Sequence, residues 1–540
     1  GKRIPRRCNK LIRQLGATRH QLSNDTIAGT AEQQRMPATL KFCTTLPVVG
    51  SLSERECLVV GHKHILTLHG AYEASKSGIS PGGEVSKEFF TQAVKDLSPS
   101  QTTDAGDTVP LYLKQATVSC LPIRCSRTNC PSRPDALAHL VKPTIKRNKN
   151  CAIVVICPRT HVVASASAIA RSCHLYDAKS TANTATYDVT VCFVLSDADG
   201  LLGGDQLSDV ECSRLGVLAD GVRFAARLVD APTCEMDTAA MVAEAQCVVA
   251  GLGSKVRMSV VTGTDLEKGG FGGLWAVGKA AEKPPSLVTL EYDGPEDDVV
   301  ALVGKGIVYD TGGLSIKSKD GMPTMKRDMG GAAAVLAAFQ AAVKIGTRKK
   351  LRGVLCLAEN AVSKEAYRPD DIIHMLSGKT VEVNNTDAEG RMVLGDGVHY
   401  AAATLRAHTV VNICTLTGAQ KIAAGNKHAG IMCNDDTLEH ACVSAGRACG
   451  DLCVPLLYCP ELLMGEFKSE VADMKNSVKD RGNAQASCAG HFIESHLPKA
   501  FHGKWLHVDM AGPNDENERA TGYGVCLFLQ LFANPVVEGN

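Results

Sequence analysis

At 540 residues the chain is long enough for more than one hydrophobic core, because single cores stop growing near ~250–300 residues. Its 58 basic and 57 acidic residues leave a formal net charge of +1, so no global field recruits nucleic acid or an anionic membrane, and any charged ligand must be met locally. No run reaches the roughly 18 apolar residues of a bilayer span; the Ala-rich stretch 330–345 and the run 525–532 are both shorter, and the chain reads as soluble and cytoplasmic.

Residues 1–35 are basic, with Lys2, Arg3, Arg6, Arg7, Lys10, Arg13, Arg19 and Arg35 against Asp25 and Glu32. Such an Arg-rich, acid-poor leader reads either as an organelle-targeting segment or as a disordered extension before Met36. Residues 36–205 read as a smaller α/β domain, with strands at 57–60, 152–157 and 189–195 and helices at 87–97 and 135–141. That domain has no dense cluster of His or carboxylates, which suits a scaffold or an assembly surface. The turn-rich segment 196–206, with Gly200, Gly203 and Gly204, marks a boundary to a second domain at 206–540. There a helix over 210–229 stops at Asp230-Ala231-Pro232. Strands at 299–303, 353–357, 409–414 and 505–508 then alternate with helices at 331–344, 393–405 and 437–448, the pattern of a mixed, mostly parallel sheet.

The 22 cysteines are scattered, many in apolar runs such as Cys151 to Cys157 and around Cys192 and Cys356, where a free thiol behaves as a small hydrophobe. Neither Cys125 with Cys130 nor Cys449, Cys453 and Cys459 has the tight two-residue spacing of a zinc ribbon.

The chemistry gathers in the second domain. In 303–317 (VGKGIVYDTGGLSIK), Lys305 and Asp310 follow a first strand and lie toward its carboxyl end, where open α/β sheets bind ligands. The glycines there do not have the spacing of a phosphate-binding loop. Asp328, in 325–331 (MKRDMGG), precedes an Ala-rich helix and could cap it or serve a site. In 384–391 (NNTDAEGR), Asp387, Glu389 and Arg391 occupy alternate positions that face one side if the segment is extended. Asp310, Asp328, Asp387 and Glu389 converging on one place would repel one another, so a shared site wants cations. Oxygen-rich ligation suits Mg, Mn or Zn, and two such ions ~3.5–4 Å apart can share carboxylates. Lys305 is an unusual ligand, since its amine must first lose a proton.

These three motifs, in this order and followed by 414–419 (CTLTGA), 471–476 (VADMKN) and 507–512 (HVDMAG), resemble the leucyl aminopeptidase (cytosol aminopeptidase) family of two-metal exopeptidases, in particular its branch of probable aminopeptidase-like proteins. The resemblance spans roughly 215–535 and implies an α/β architecture: a small N-terminal macro-like domain and a larger catalytic domain. It implies that Lys305, Asp310, Asp328 and Glu389 hold the tighter metal, and Asp310, Asp387 and Glu389 the more exchangeable one. A water or hydroxide shared by the metals would attack the scissile carbonyl, Lys317 would stabilise the oxyanion, and Arg391 would hold a bicarbonate acting as base. Asp328 and Asp387 would lie near the substrate α-amine. Met325, Asn385, Thr415, Leu416 and Gly418 would surround the substrate, although Met325 and Leu416 also suit plain core packing. The family forms homohexamers, as dimers of trimers with an enclosed interior, which implies short peptides as substrates; a preference for apolar N-terminal residues is also expected.

Asn412 stands where the family often has an acidic residue, and Thr311 where many members have Ser. The sixteen histidines supply no H-E-x-x-H pair, and His399, His428, His491 and His507 read as structural or rim residues. Two other readings compete: a member that has lost turnover and serves as an assembly component, and a nucleic-acid-binding regulator, which the near-neutral charge disfavours.

Overall fold

The computed structural model describes residues 38–46, 55–68, 70–113, 115–180, 186–197 and 206–539. The basic leader and the glycines expected to mark the domain boundary lie outside these residues.

Six strands, β1 (Ala38–Cys43), β2 (Glu56–His62), β3 (Asp107–Tyr112), β4 (Ala116–Leu121), β5 (Cys151–Pro158) and β6 (Tyr187–Ser196), form a sheet of order β1-β6-β5-β2-β4-β3. Only β3 runs antiparallel to its neighbour. The central strands are largely buried and mostly apolar because both faces are covered. Leu58, Val60, Ile153 and Val155 enter one core cluster, while Cys57, Val59, Ala152 and Val154 enter another with the helices Ala71–Ile79 and Lys87–Asp96. The edge strand β3 is half-exposed and carries Pro110, which an edge tolerates and a central strand does not; it is not legible from apolar patterning.

The second half adds β7 (Val256–Thr262), β8 (Ser286–Tyr292), β9 (Val299–Asp310), β10 (Lys350–Asn360), β11 (Ile372–His374), β12 (Thr380–Glu382), β13 (Thr409–Cys414), β14 (Ala429–Cys433), β15 (Cys453–Pro455), β16 (Met474–Lys475) and β17 (Lys504–Asp509). Eight of them form a sheet of order β15-β14-β17-β13-β9-β10-β8-β7, and β11, β12 and β16 form a small separate one. The four strands read from the sequence are the parallel block β17-β13-β9-β10. β8 joins β10 antiparallel and β14 joins β17 antiparallel, so the sheet is mixed. β9 is the third strand of this sheet in chain order, not the first, and it runs on to Asp310, which puts Lys305 inside the strand rather than beyond it.

Alternation along β9 sends Val300 and Leu302 into the core shared with the first sheet, and Ala301 and Val303 into a second core. The first face is covered by the helices Asp209–Asp230 and Gly330–Ile345, the second by the helices Gly390–Ala403 and Gln485–Glu494. Ser208 and Glu211 form a capping box at the start of the Asp209 helix, and Pro232 follows its end as expected. The helical stretch Met325–Ile345 has a mean hydropathy of 1.2 and is 89% buried, so the protein's own core accounts for its apolarity. Every cysteine among the described residues is a free thiol.

Arg171, from the helix Val162–Ser172, pairs with fully buried Asp451, which also accepts from the amides of Gly524 and Leu527 at 3.0 Å each. Removing one partner of a buried pair costs about 3–5 kcal/mol. The two amides remain in Arg171→Ala, so its expected loss is at the low end of that range, read as a fall in the midpoint of urea unfolding.

Candidate active site

The site begins with a strand irregularity. Lys305 and Asp310 are five residues apart, and in a regular strand an odd separation sends side chains to opposite faces. Here the pairing passes from Ile307 opposite Ala358 to Asp310 opposite Asn360, three residues along β9 against two along β10. Such a bulge re-aims the following side chain and allows Asp310 to serve the same site as Lys305. Gly312 and Gly313 follow at φ +85° and +61°, a left-handed turn that glycine adopts without a Cβ penalty. It brings Lys317 back over the strand end, with Nζ 2.8 Å from Asp310 Oδ2 and 2.5 Å from Asp387 Oδ1.

Asp328 lies in the one-turn helix Met325–Met329 and makes no cap hydrogen bond to the helix that follows. Its carboxylate oxygens lie 2.8 and 2.7 Å from Lys305 Nζ, and Oδ1 accepts from Thr415 Oγ1 at 2.7 Å. Lys305 also contacts Glu389 Oε1 at 2.8 Å and donates to the Thr415 carbonyl at 3.1 Å.

The acidic motif is a turn into a helix, not an extended segment. Glu389 already has helical angles (φ −75°, ψ −36°), and the helix Gly390–Ala403 starts at the next residue. The alternate-position expectation therefore fails for Arg391. Asp387 and Glu389 nevertheless converge with Asp310, with ligand atoms of all three within 4.8 Å of one another, the one such grouping of His, Cys, Asp and Glu among the described residues. Arg391 is buried, donates from Nη1 to the Asn476 carbonyl at 3.0 Å, and lies 6.0 Å from the ring centres of Phe467 and Phe492. Its Nε has no hydrogen-bond partner. Gly390 is needed for space, since a Cβ there would lie 2.7 Å from Lys305 Nζ.

Four carboxylates thus face two ammonium groups. Burial pushes Asp310 up to about 6, with Glu389 adding repulsion. Burial likewise raises Asp328, against the pull of Lys305, and Asp387, with Glu389 again adding to the rise. For Glu389 burial is outweighed by Lys305 and Lys317, which hold it below the usual range. Burial alone would lower Lys305, but Asp328, Glu389 and Asp310 hold it well above an ordinary lysine. Glu389 Oε2 remains buried without a hydrogen-bond partner. Hard oxygen donors, a shortage of positive charge and an unpartnered carboxylate oxygen fit divalent cations. Asp310, Asp328, Asp387 and Glu389 could hold them, with Lys305 joining only after giving up its proton. Burial pushes Arg391 down to about 10, still charged at neutral pH; a buried cation with a free donor suits an anion.

Thr415, Leu416 and Gly418 follow the carboxyl end of β13, and Leu416 is partly buried against the second core. Leu416 N donates to Asp509 Oδ1 at 3.0 Å, and exposed Gly418 opens the helix Gly418–Ala424. Met325, half-buried, shares the one-turn helix of Asp328. Asn385 lies within the acidic loop, where its side chain accepts from Asp387 N at 3.0 Å. His399, His428, His491 and His507 each make a hydrogen bond away from the four carboxylates. Asn412 joins His507 Nδ1 at 2.6 Å and accepts from Trp505 Nε1 at 2.9 Å, so the neutral residue there is absorbed in a buried tie. Thr311 keeps the hydroxyl function, donating to the Asn360 carbonyl at 2.7 Å.

Sequence reasoning missed Asn360 and Tyr367 and gave no role to Thr386 and Asn476, which lie inside the motifs 384–391 and 471–476. All four are buried, and each bonds the loops that carry the carboxylates. Asn476 takes the amides of Asn384 and Asn385 on Oδ1 at 2.9 and 3.2 Å and donates to the Asn385 carbonyl at 2.7 Å. For Asn360 a signal existed, since it ends a mostly apolar run at the same end of the sheet as Asp310, its partner across the strands.

The chain is similar to known proteins over most of its length. The model of the cytosol aminopeptidase family catalytic domain matches residues 223–529, and that of M17 aminopeptidase N-terminal domain 2 matches residues 57–182. The chain is 49% identical over 452 residues to the human protein named "Probable aminopeptidase NPEPL1", covering 83% of this chain and 84% of that one. It is 41% identical over 481 residues to "Leucine aminopeptidase 1" of Caenorhabditis elegans, covering 88% and 94%. The solved structure of the Caenorhabditis elegans leucine aminopeptidase superposes with a TM-score of 0.81 at 37% identity, over 91% of this chain and 97% of that one. The leucyl aminopeptidase of Trypanosoma brucei in complex with bestatin superposes with a TM-score of 0.81 at 35% identity, over 94% and 97%. The chain therefore belongs to the cytosol aminopeptidase (M17) family and is an aminopeptidase, a peptide-bond hydrolase.

Proposed function

We propose that this aminopeptidase uses two divalent metals to remove N-terminal, apolar residues from short peptides. The observation that carries the reading is the convergence of Asp310, Asp387 and Glu389 beside Asp328, opposed by only Lys305 and Lys317. Lys305, Asp310, Asp328 and Glu389 would hold the tighter ion and Asp310, Asp387 and Glu389 the more exchangeable one, as Zn or Mn with Mg as a further candidate. Bound there, the ions would supply the Lewis acidity that activates water and the scissile carbonyl.

The chain's own groups do the rest. The ammonium of Lys317, on the turn set by Gly312 and Gly313, would stabilise the oxyanion that develops on the carbonyl. Arg391 would hold a bicarbonate through its unpartnered side, giving the site a proton acceptor where no histidine is offered. Asp328 and Asp387 would orient the α-amine, and Met325, Asn385, Thr415, Leu416 and Gly418 would line the substrate, Met325 as an adaptable apolar wall. Retention of all five candidate ligands together with Lys317 and Arg391 favours turnover over a purely structural role. The reading extends to a cytoplasmic homohexamer built as a dimer of trimers, to domains meeting near residue 206, and to action without nucleic acid or membrane. The assembly and location rest on family membership, the boundary on the glycine-rich segment 196–206, and the last point on the near-neutral charge.

A free amine anchored in this way fixes which bond is cut. Leu-amide is therefore expected to be hydrolysed and N-acetyl-Leu-amide to be left intact, as read by ammonia release. Equal rates on the two would contradict the exopeptidase reading.

A further inference from the structure

One fully buried side chain at this site has no part in the proposed reaction. Asn360 ends β10 directly opposite Asp310, where the strand pairing slips. Its Nδ2 donates to Asp310 Oδ1 at 2.8 Å and to the Thr386 carbonyl at 3.0 Å. Two acceptors at one nitrogen fix which end of the amide is the donor. Its main-chain carbonyl accepts from Thr311 N at 3.1 Å and from Thr311 Oγ1 at 2.7 Å. The unpartnered Oδ1 lies toward Gly313, where a Cβ would approach it to 2.9 Å. A single residue therefore holds the bulge that re-aims Asp310, the residue after it, and the loop that leads to Asp387 and Glu389.

The two oxygens of Asp310 are divided in consequence. Oδ1 is taken by Asn360 and by the Gly312 amide at 2.9 Å. Oδ2 is the oxygen that meets Lys317. We infer that Asn360 is a positioning residue for the metal centre, its amide fixing Asp310 in rotation and setting the distance between β9 and the acidic loop. This rests on the two-metal reading above. Hydrogen bonds to the outer oxygen of a ligating carboxylate aim the inner one, and losing such a partner weakens metal binding by about 10–100-fold. Tyr367 supplies the contrast. Its hydroxyl donates to the same Thr386 carbonyl at 2.7 Å, so it tethers the loop without touching Asp310.

The test is titration of the whole chain with Mn2+, comparing wild type with Asn360→Leu, Asn360→Ala and Tyr367→Phe, with thermal melting to verify folding. Leucine nearly matches the asparagine in shape, and alanine serves should leucine not fold. Both Asn360 variants are expected to bind Mn2+ about 10–100-fold more weakly, while Tyr367→Phe keeps wild-type affinity. Folded Asn360 variants with wild-type affinity, equal weakening in Tyr367→Phe, or failure of both Asn360 variants to fold would overturn the inference alone. A wild-type chain that binds no Mn2+ would overturn the two-metal reading and this inference together.

Discussion

Replacing Glu389 by alanine is expected to abolish hydrolysis of Leu-amide and to lower metal content, while the fold survives. Glu389 is buried, contacts Lys305 at 2.8 Å and leaves Oε2 without a hydrogen-bond partner. In the two-metal reading it is shared by both ions, so its loss opens both coordination sets. Even outer partners of metal ligands are worth about 10–100-fold in affinity, and a direct, shared ligand should exceed that. The variant also removes one of the carboxylates that hold Lys305 protonated, leaving that lysine with Asp328 as its principal counterion. Metal affinity measured by competition with a chelator, together with turnover at saturating Mn2+, checks the expectation. Undiminished affinity in the variant would remove Glu389 from the centre.

Lys317→Ala is expected to behave differently, losing about 10²–10³-fold in kcat, the usual cost of one oxyanion donor, with metal affinity maintained or raised. Lys317 competes with cations for Asp310 and Asp387, at 2.8 and 2.5 Å, so deleting it takes away a rival for those oxygens. A fall in kcat without loss of metal separates a transition-state role from a ligand role. Loss of metal in step with activity would instead make Lys317 part of the ion-holding set.

Much of this site is legible in the sequence because the residues concerned sit in or just after apolar runs. β9, β10, β13 and β17 are enclosed on both faces and therefore carry mostly apolar runs, which makes the parallel block visible. β7 is half-exposed at the sheet edge and mixes polar with apolar residues, so its pattern does not stand out from a loop. The bulge in β9 is invisible for another reason: nothing in the spacing of Lys305 and Asp310 says that the strand will gain a residue between them. Arg391 shows the limit of a local rule. Alternation applies to strands only, and the helix that begins at Gly390 turns its side chain toward Asn476, Phe467 and Phe492. Asn360 escaped, and Asn476 was given no role within its motif, because neutral amides carry no charge pattern and their partners come from distant segments.

In the two-metal reading, four carboxylates and Lys305 hold the ions that do the hydrolysis, with Lys317 beside them. Metal analysis of the purified chain, coupled to Leu-amide hydrolysis before and after chelation and on return of Mn2+ or Zn2+, tests it most directly. The predicted result is two divalent ions per chain, loss of turnover on chelation and recovery on reloading. A folded chain that hydrolyses Leu-amide equally well with its metal stripped would contradict it.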